Sequence, residues 1–471
     1  DNYYLRRWAT GWYARDDWRP SRGLSFNLGI RYEYFAPYTE LYNRMANLDV
    51  SPGFTGVSVV TPGEASLPTS LIRPDSHAFS PRLGFAWRPF GKTSTVIRGG
   101  YSVFYSPSAY AQLGATLATQ PPFSTTVSLT NSPANPLSLQ NGFPILPSQT
   151  IANTFAVDPN FKLAYAQTWS FAIQNTLPHG LVLELEYIGT KGTDLPVAEQ
   201  PNRPLPGSSV TDAQEQLQIP YATSFTYETS QANSIFHAGQ VRLTRRFARG
   251  ISAVMLYTRS KSIDDASNFS GTGGTVVQFI DNLGLERGLS NFDQRNNLQT
   301  TFLLSSPVGV HGMLRNGGWA TRTLAGWTVS GTFAAANGTP LTALVAGNLS
   351  NTGGLAAAGS TRAEATGLPI SAQGDSYFNL RAFTTPLAGE FGDAGRDTIP
   401  GPFQVSFNSA LNRAFRFADS RRQLQLRLSA TNALNHVAIT SFGTTVNSAT
   451  YGLPTAASGT RTVQLLMRFS F

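Results

Sequence analysis

The sequence predicts an all-β protein, an antiparallel transmembrane β-barrel. Three observations lead there. About thirteen stretches alternate apolar and polar residues with a period of two, the mark of a strand with two different faces. Most of these stretches run about 10–14 residues, well beyond the five or six of an ordinary globular strand and in the range a tilted strand needs to cross a bilayer. The connections between them alternate between short and long, as in outer-membrane barrels with tight periplasmic turns and long extracellular loops.

The expected strands are 6–18, 23–35, 79–89, 94–106, 164–177, 181–191, 235–247, 251–262, 292–305, 325–336, 403–417, 421–434 and 460–471. In LSFNLGIRYEY one face is Leu24, Phe26, Leu28, Ile30, Tyr32 and Tyr34, and the other includes Asn27, Arg31 and Glu33. In WSFAIQNTL, Trp169, Phe171 and Ile173 share a face. In LVLELEY, Leu183, Leu185 and Tyr187 alternate with Glu184 and Glu186. In RQLQLRLSA, Leu424, Leu426 and Leu428 alternate with Gln423, Gln425 and Arg427. The chain ends on RTVQLLMRFSF, where Val463, Leu465, Met467, Phe469 and Phe471 fall on one face. Helical spacing fits none of these.

The short connections are 19–23, 89–93, 178–180, 248–250 and 418–420. The long ones are about 36–78, 107–163, 192–234, 263–291, 337–402 and 435–459, and only 306–324 is of middling length. They are rich in Pro, Gly, Ser, Thr and Asn, as in NSPANPLSLQNGFP (131–144) and NTGGLAAAGS (351–360). The expectation is a single partial barrel domain over residues 1–471. A barrel satisfies its backbone polar groups around the ring, so its outer face can be apolar and its interior wet. On that parity Arg31, Glu33, Glu184, Glu186 and Arg427 are expected to face the lumen. Aromatics at strand ends (Trp8, Trp12, Trp18, Trp87, Phe90, Tyr101, Tyr105, Phe415 and Phe417) read as interfacial girdles, or as the core of a soluble sheet. With short turns periplasmic, the first strand runs inward and the C-terminus lies in the periplasm. Single-chain bacterial barrels have even strand numbers, so an odd number of strands is expected before Asp1. The absence of an initiator Met and of a leader agrees with a processed chain or a fragment.

Composition narrows the function classes. Charged residues make up 13% and aromatics 11%, with a slightly negative mean hydropathy and no apolar run long enough for a spanning helix. Cysteine is absent, which removes disulfides and thiolate metal sites. The net charge is +8, yet only four basic residues are lysine (92, 162, 191, 261) and the arginines are scattered. Scattered arginines argue against nucleic-acid binding, which uses basic clusters, and an Arg-rich, Lys-poor surface suits contact with phosphate-bearing lipid heads such as lipopolysaccharide, because guanidinium binds phosphate bidentately.

Chemistry-bearing motifs are few. His77, His179, His237, His311 and His436 have no partners at metal-ligand spacing. GKT at 91–93 lacks the first P-loop glycine, because Ala86 stands there. Asp264 and Asp265 in SIDDASNFSGTGG (262–274) read as a polar loop base or, less simply, a cation site without EF-hand spacing. Asp16–Asp17 reads as a partner for an interior arginine. No cofactor and no catalytic residue is expected.

Longer words then carry a resemblance. WYARDDWRPSRGLSFNLGIRYEYFAP (12–37), SPRLGFAWRPFGKTSTVIRGGYSVFY (80–105) and YAQTWSFAIQNTLPHGLVLELEYIGTKGTDL (165–195) resemble the barrel of TonB-dependent outer-membrane transporters, and most of all the Oar-like branch. VRLTRRFARGISAVMLYTRSKSIDDAS (241–267), ERGLSNFDQRNN (286–297), GWTVSGTF (326–333), FGDAGRDTIPGP (391–402) and TNALNH (431–436) agree, though aromatics more often stand where Thr431 and Ala433 are. The resemblance implies a 22-stranded barrel, of which these would be strands 10–22, with a plug and a TonB-recruiting box upstream. It also implies that the C-terminal alternation ending at Phe471 is an insertion signal read by the barrel-assembly machinery. The expected function is TonB-dependent active transport of a scarce nutrient, a small molecule, peptide or glycan captured on the long loops. An envelope structural or adhesion protein and a passive porin are the alternatives, with a soluble β-rich enzyme as an outsider.

Overall fold

The computed structural model describes the chain except residues 1, 90–93, 125–150, 204–216, 249, 266–276, 280–281, 307–324, 348, 351–359, 372–375 and 417–421. Thirteen long strands follow one another in a single sheet: β1 (Ala9–Ser21), β2 (Leu24–Phe35), β3 (Phe79–Trp87), β4 (Thr95–Ser106), β5 (Ala164–Leu177), β6 (Leu181–Glu199), β7 (Thr226–Ala248), β8 (Ile251–Asp264), β9 (Asn296–Ser305), β10 (Trp327–Leu341), β11 (Ile399–Arg416), β12 (Gln423–Thr431) and β13 (Thr462–Ser470). Each pairs antiparallel with its sequence neighbours, so the spatial order is the chain order. That is the expected meander, strand for strand. Among the described residues β1 and β13 pair on one side only.

The strand bounds differ most in β6, β7 and β10, which run 19, 23 and 15 residues. The alternation stops before these strands do. Val197, Ala198 and Glu199 on β6, and Glu228, Thr229 and Ala232 on β7, are all buried. A strand covered on both faces shows no two-faced pattern, so the sequence hides its length.

One end of the sheet carries tight turns. His179 and Gly180 turn β5 into β6 with φ of 64° and 74°, and Gly250 helps turn β7 into β8 with φ of 80°. At these angles a Cβ is strained, which suits glycine. The turns at 89–93 and 418–420, with Phe90, Phe417 and GKT, lie wholly or mostly outside the described residues.

The other end carries the long connections, and these are folded. A helix, α1 (Ser108–Ala118), inserts Tyr110, Leu113 and Leu117 into a core with Met45, Leu71 and Phe161. A second core joins Ala343, Val345, Phe378, Phe383 and Phe442. A third holds Leu48, Val57, Ala156, Ile219 and Phe225. From sequence these segments are expected as loops, and the structure differs. The spacing of Tyr110, Leu113 and Leu117 is a helical signal inside one of them. The tracts 131–144 and, up to its last residue, 351–360 lie outside the described residues.

Candidate functional site

The sheet has one polar and one apolar face, and the register carries each face across all the strands. Arg31 pairs with Ser80, Arg82 with Ser102, Ser102 with Thr168, and Thr168 with Thr190. Thr190 stands on the same side of β6 as Glu184 and Glu186, since alternate residues share a face. From there Glu186 pairs with Gln240, Gln240 with Thr258, Thr258 with Asn297, and Asn297 with Ala336. Farther along, Thr328 of β10 pairs with Asn412, and Asn412 with Arg427. So Arg31, Glu33, Glu184, Glu186 and Arg427 all stand on one face. The terminal set stands on the other: Val463 pairs with Ala430, Leu465 with Leu428, Met467 with Leu426, and Phe469 with Leu424. Phe471 lies just beyond the strand and stacks on Phe469 at 6.2 Å.

Charges on the polar face meet partners across and along strands. Arg31 Nη2 donates to Glu33 Oε1 at 2.7 Å. Arg98 of β4 bridges β5 and β6, donating to Gln174 Oε1 at 3.1 Å and to the Glu184 carboxylate. Asp17 accepts from Arg15, two residues away on the same face, and from Asn27, while its neighbour Asp16 stands on the apolar face opposite Leu28. The Arg82 guanidinium lies 5.0 Å over the Phe104 ring. Several cavities open on this face among the described residues, two of them large. One of about 550 Å³ is lined by Arg15, Asn27, Arg31, Arg82 and Ser102, with Gly29, Gly84 and Gly100 as its floor. The other, of about 480 Å³, is lined by Thr332, Asn408, Arg427 and Ser429.

The apolar face presents exposed Ile30, Leu83, Phe171, Leu185 and Leu428, among others. Its aromatics pair across strands, Trp12–Tyr32 at 5.9 Å and Trp18–Phe26 at 5.5 Å stacked and Tyr32–Phe79 at 4.7 Å tilted. Three rings lie over glycines of the next strand: Phe85 over Gly99, Trp169 over Gly189 and Phe302 over Gly331. Glycine there leaves a flat seat for the ring, which restores the packing a side chain would have given.

Above the polar face the long connections lock together. Arg396 Nη2 donates to Asp264 Oδ1 at 2.6 Å, and its Nε to the Glu286 carbonyl at 2.6 Å. Arg362 pairs with Glu286 at 3.1 Å, both buried. Asp265 pairs with Arg287 at 3.2 Å and accepts from the Asn233 backbone. The words SIDDAS, ERGLSNFDQRNN and FGDAGRDTIPGP, far apart in the chain, therefore meet in one buried charge cluster. The carboxylates of Asp264 and Asp265 serve arginines, as a polar loop base does; residues 266–274 of that stretch lie outside the described residues. Gln278 is a second hub. Its backbone N donates to Glu286 Oε1, its carbonyl accepts from Arg203 Nη2, its Oε1 accepts from the Arg362 backbone N, and its Nε2 donates to the Gly392 carbonyl. Through its backbone and side chain together, this one residue ties three connections. No sequence pattern singles out Gln278, Arg362 or Arg396. Strand parity marks Arg98, but the others act through long-range contacts over 75–132 residues that no local pattern records.

Burial shifts two groups in this region. Glu228 carries a carboxyl with no hydrogen-bond partner, and burial, then the nearby Glu199, pushes it up to about 7. Burial also pushes the Asp397 carboxyl up, against the opposing pull of Arg396 and the Thr342 hydroxyl. Among the described residues no group of three His, Asp or Glu could hold a metal ion. His77 contacts Asp75 at 3.0 Å and His237 contacts the Tyr187 hydroxyl at 2.8 Å, while His311 lies outside the described residues.

Comparison with known proteins agrees with this geometry. A family model described as an outer membrane beta barrel domain matches residues 1–464. No curated protein matches the sequence. Among solved structures, the outer membrane transporter YddB from Escherichia coli is 10% identical with a TM-score of 0.52, covering 97% of this chain and 53% of its own. The ferripyoverdine receptor of the outer membrane of Pseudomonas aeruginosa is 11% identical (TM-score 0.46; 100% of this chain, 39% of its own). The siderophore receptor PiuA from Acinetobacter baumannii is also 11% identical (TM-score 0.45; 98% and 43%). The chain spans about half or less of the length of these structures. At such identities the likeness is one of fold.

Proposed function

The chain belongs to the outer membrane β-barrel family, and on that premise we propose that it forms part of the wall of a TonB-dependent transporter for a scarce nutrient. The observation that carries the reading is the polar face that runs in register through the sheet, backed by an apolar face and crowned at one end by interlocked connections. In this reading the polar face lines the lumen. Arg31, Glu33, Glu184, Glu186 and Arg427 then contact a plug, and the cavities on that face are part of the plug's seat. The folded connections are extracellular and capture the ligand, and the tight turns and the C-terminus are periplasmic. The chemistry is binding and gating with no covalent step, and TonB supplies the energy. Val463, Leu465, Met467, Phe469 and Phe471 present the insertion signal to the barrel-assembly machinery, and lipid and lipopolysaccharide surround the apolar face.

Uptake in cells with and without proton-motive force tests the reading. Uptake of a scarce nutrient that requires this gene product and collapses on de-energisation is expected. Uptake that survives de-energisation makes the protein a passive porin, and loss of cell attachment with no uptake makes it an adhesin. Deleting Phe471 separately tests the terminal signal, with a fall of tenfold or more in outer-membrane yield as the expected outcome.

A further inference from the structure

We propose that Arg259 and Lys261 on β8, with His237 on β7, form a binding site for the phosphorylated head of an outer-leaflet lipid. The proposal rests on the reading that the apolar face meets lipid. Four observations carry it. First, these residues stand on the apolar face, at the end near the folded connections. Lys261 pairs with His237 and Arg259 with Gly239, while Val241 and Leu243, with their partners Tyr257 and Met255, continue the same face toward the tight turns. Cations that end an apolar run lie where a lipid's acyl chains give way to its head group.

Second, the cations are exposed and available. Neither Arg259 nor Lys261 joins an ion pair among the described residues. The nearby carboxylates are engaged elsewhere, Asp265 by Arg287 and Asp264 by Arg396. Two positive groups one strand repeat apart, about 7 Å, repel each other unless an anion lies between them.

Third, the site has a preformed wall. His237 is held by the Tyr187 hydroxyl at 2.8 Å, stacks on the Tyr187 ring and meets Trp169 edge-on at 6.1 Å. Trp and Tyr favour the head-group level of a bilayer. Fourth, Gly239 lies in register between Tyr187 and Arg259, and a Cβ there would meet no atom within 4 Å. That gap leaves room for a phosphate against Arg259, which can bind it through two parallel N–H groups.

The test uses the native protein extracted from outer membranes and returned to phosphatidylcholine vesicles holding either diphosphoryl lipid A or its dephosphorylated form. Vesicle flotation first checks insertion. Bound lipid A is then counted by native mass spectrometry. We expect the diphosphoryl form to be retained over the dephosphorylated form. The double variant Arg259→Gln/Lys261→Gln should weaken retention about twenty-five-fold at low salt, at about fivefold per cation. The swap Arg259→Lys/Lys261→Arg should retain the lipid. Arg413→Gln, on the same face near the tight-turn end, should leave retention unchanged. Equal retention of the two lipid forms, an unchanged double variant, or an equal loss in Arg413→Gln overturns the site. A protein that inserts but retains no lipid A overturns the site and leaves the transport reading standing, whereas failure to insert overturns the membrane reading itself.

Discussion

Arg396, three residues before β11, donates to Asp264, the last residue of β8, at 2.6 Å with both side chains buried. Two chain positions 132 residues apart are joined there. A buried charge left without its partner is costly, whereas replacing both members with apolar groups is often tolerated. Arg396→Met is therefore expected to destabilise the folded connections by about 3–5 kcal/mol, with Arg396→Met/Asp264→Leu recovering a good part. Limited proteolysis, read by cleavage within 282–296 and 391–398, checks both variants.

Gln278 makes four hydrogen bonds to three connections, and a buried group stripped of its partner costs about 1–3 kcal/mol. Gln278→Leu removes the two side-chain bonds and orphans the Gly392 carbonyl and the Arg362 backbone N–H. Hydrogen exchange at Arg362 should accelerate by about fivefold to a hundredfold, while exchange in β2 and β3 stays unchanged. Equal exchange at Arg362 in the two proteins would show that the hub is redundant.

Two glycines on the same face should respond oppositely to valine. Trp169 lies against the position a Gly189 side chain would take, while nothing crowds Gly239. Strand propensity alone favours valine at both. Gly189→Val is expected to displace the ring and cost about 1–3 kcal/mol, and Gly239→Val to be neutral or slightly stabilising. Thermal unfolding in detergent compares them.

Glu228 sets a pH dependence. Its folded value of about 7 lies above the usual 4.5 because burial, and then Glu199, disfavours the charge. The neutral carboxyl is tolerated, so the fold loses nothing below about pH 4.5. Stability then falls as pH rises toward 7 and beyond, by about 3 kcal/mol in full. Glu228→Gln should remove that fall, raising stability at pH 8 and leaving it unchanged near pH 4. Unfolding free energies across that range provide the measurement.

The sequence by itself determined the sheet. Period-two alternation is local chemistry, written wherever one side of a strand meets an apolar medium and the other water. Thirteen strands, their order, and the shared faces of Arg31, Glu184 and Arg427 were therefore legible before any coordinates. The alternation in connection length was legible for the same reason, since turn residues mark each reversal. Only the tertiary structure decided what happens above the sheet. There β6 and β7 are covered on both sides, the periodic signal vanishes, and the cores around Leu113 and Phe378 form between segments with no common pattern. Asp264 and Arg396 show the limit plainly. Each residue reads as an ordinary charged loop residue, and its role follows from a partner more than a hundred positions away, chosen by the register of the sheet that carries both.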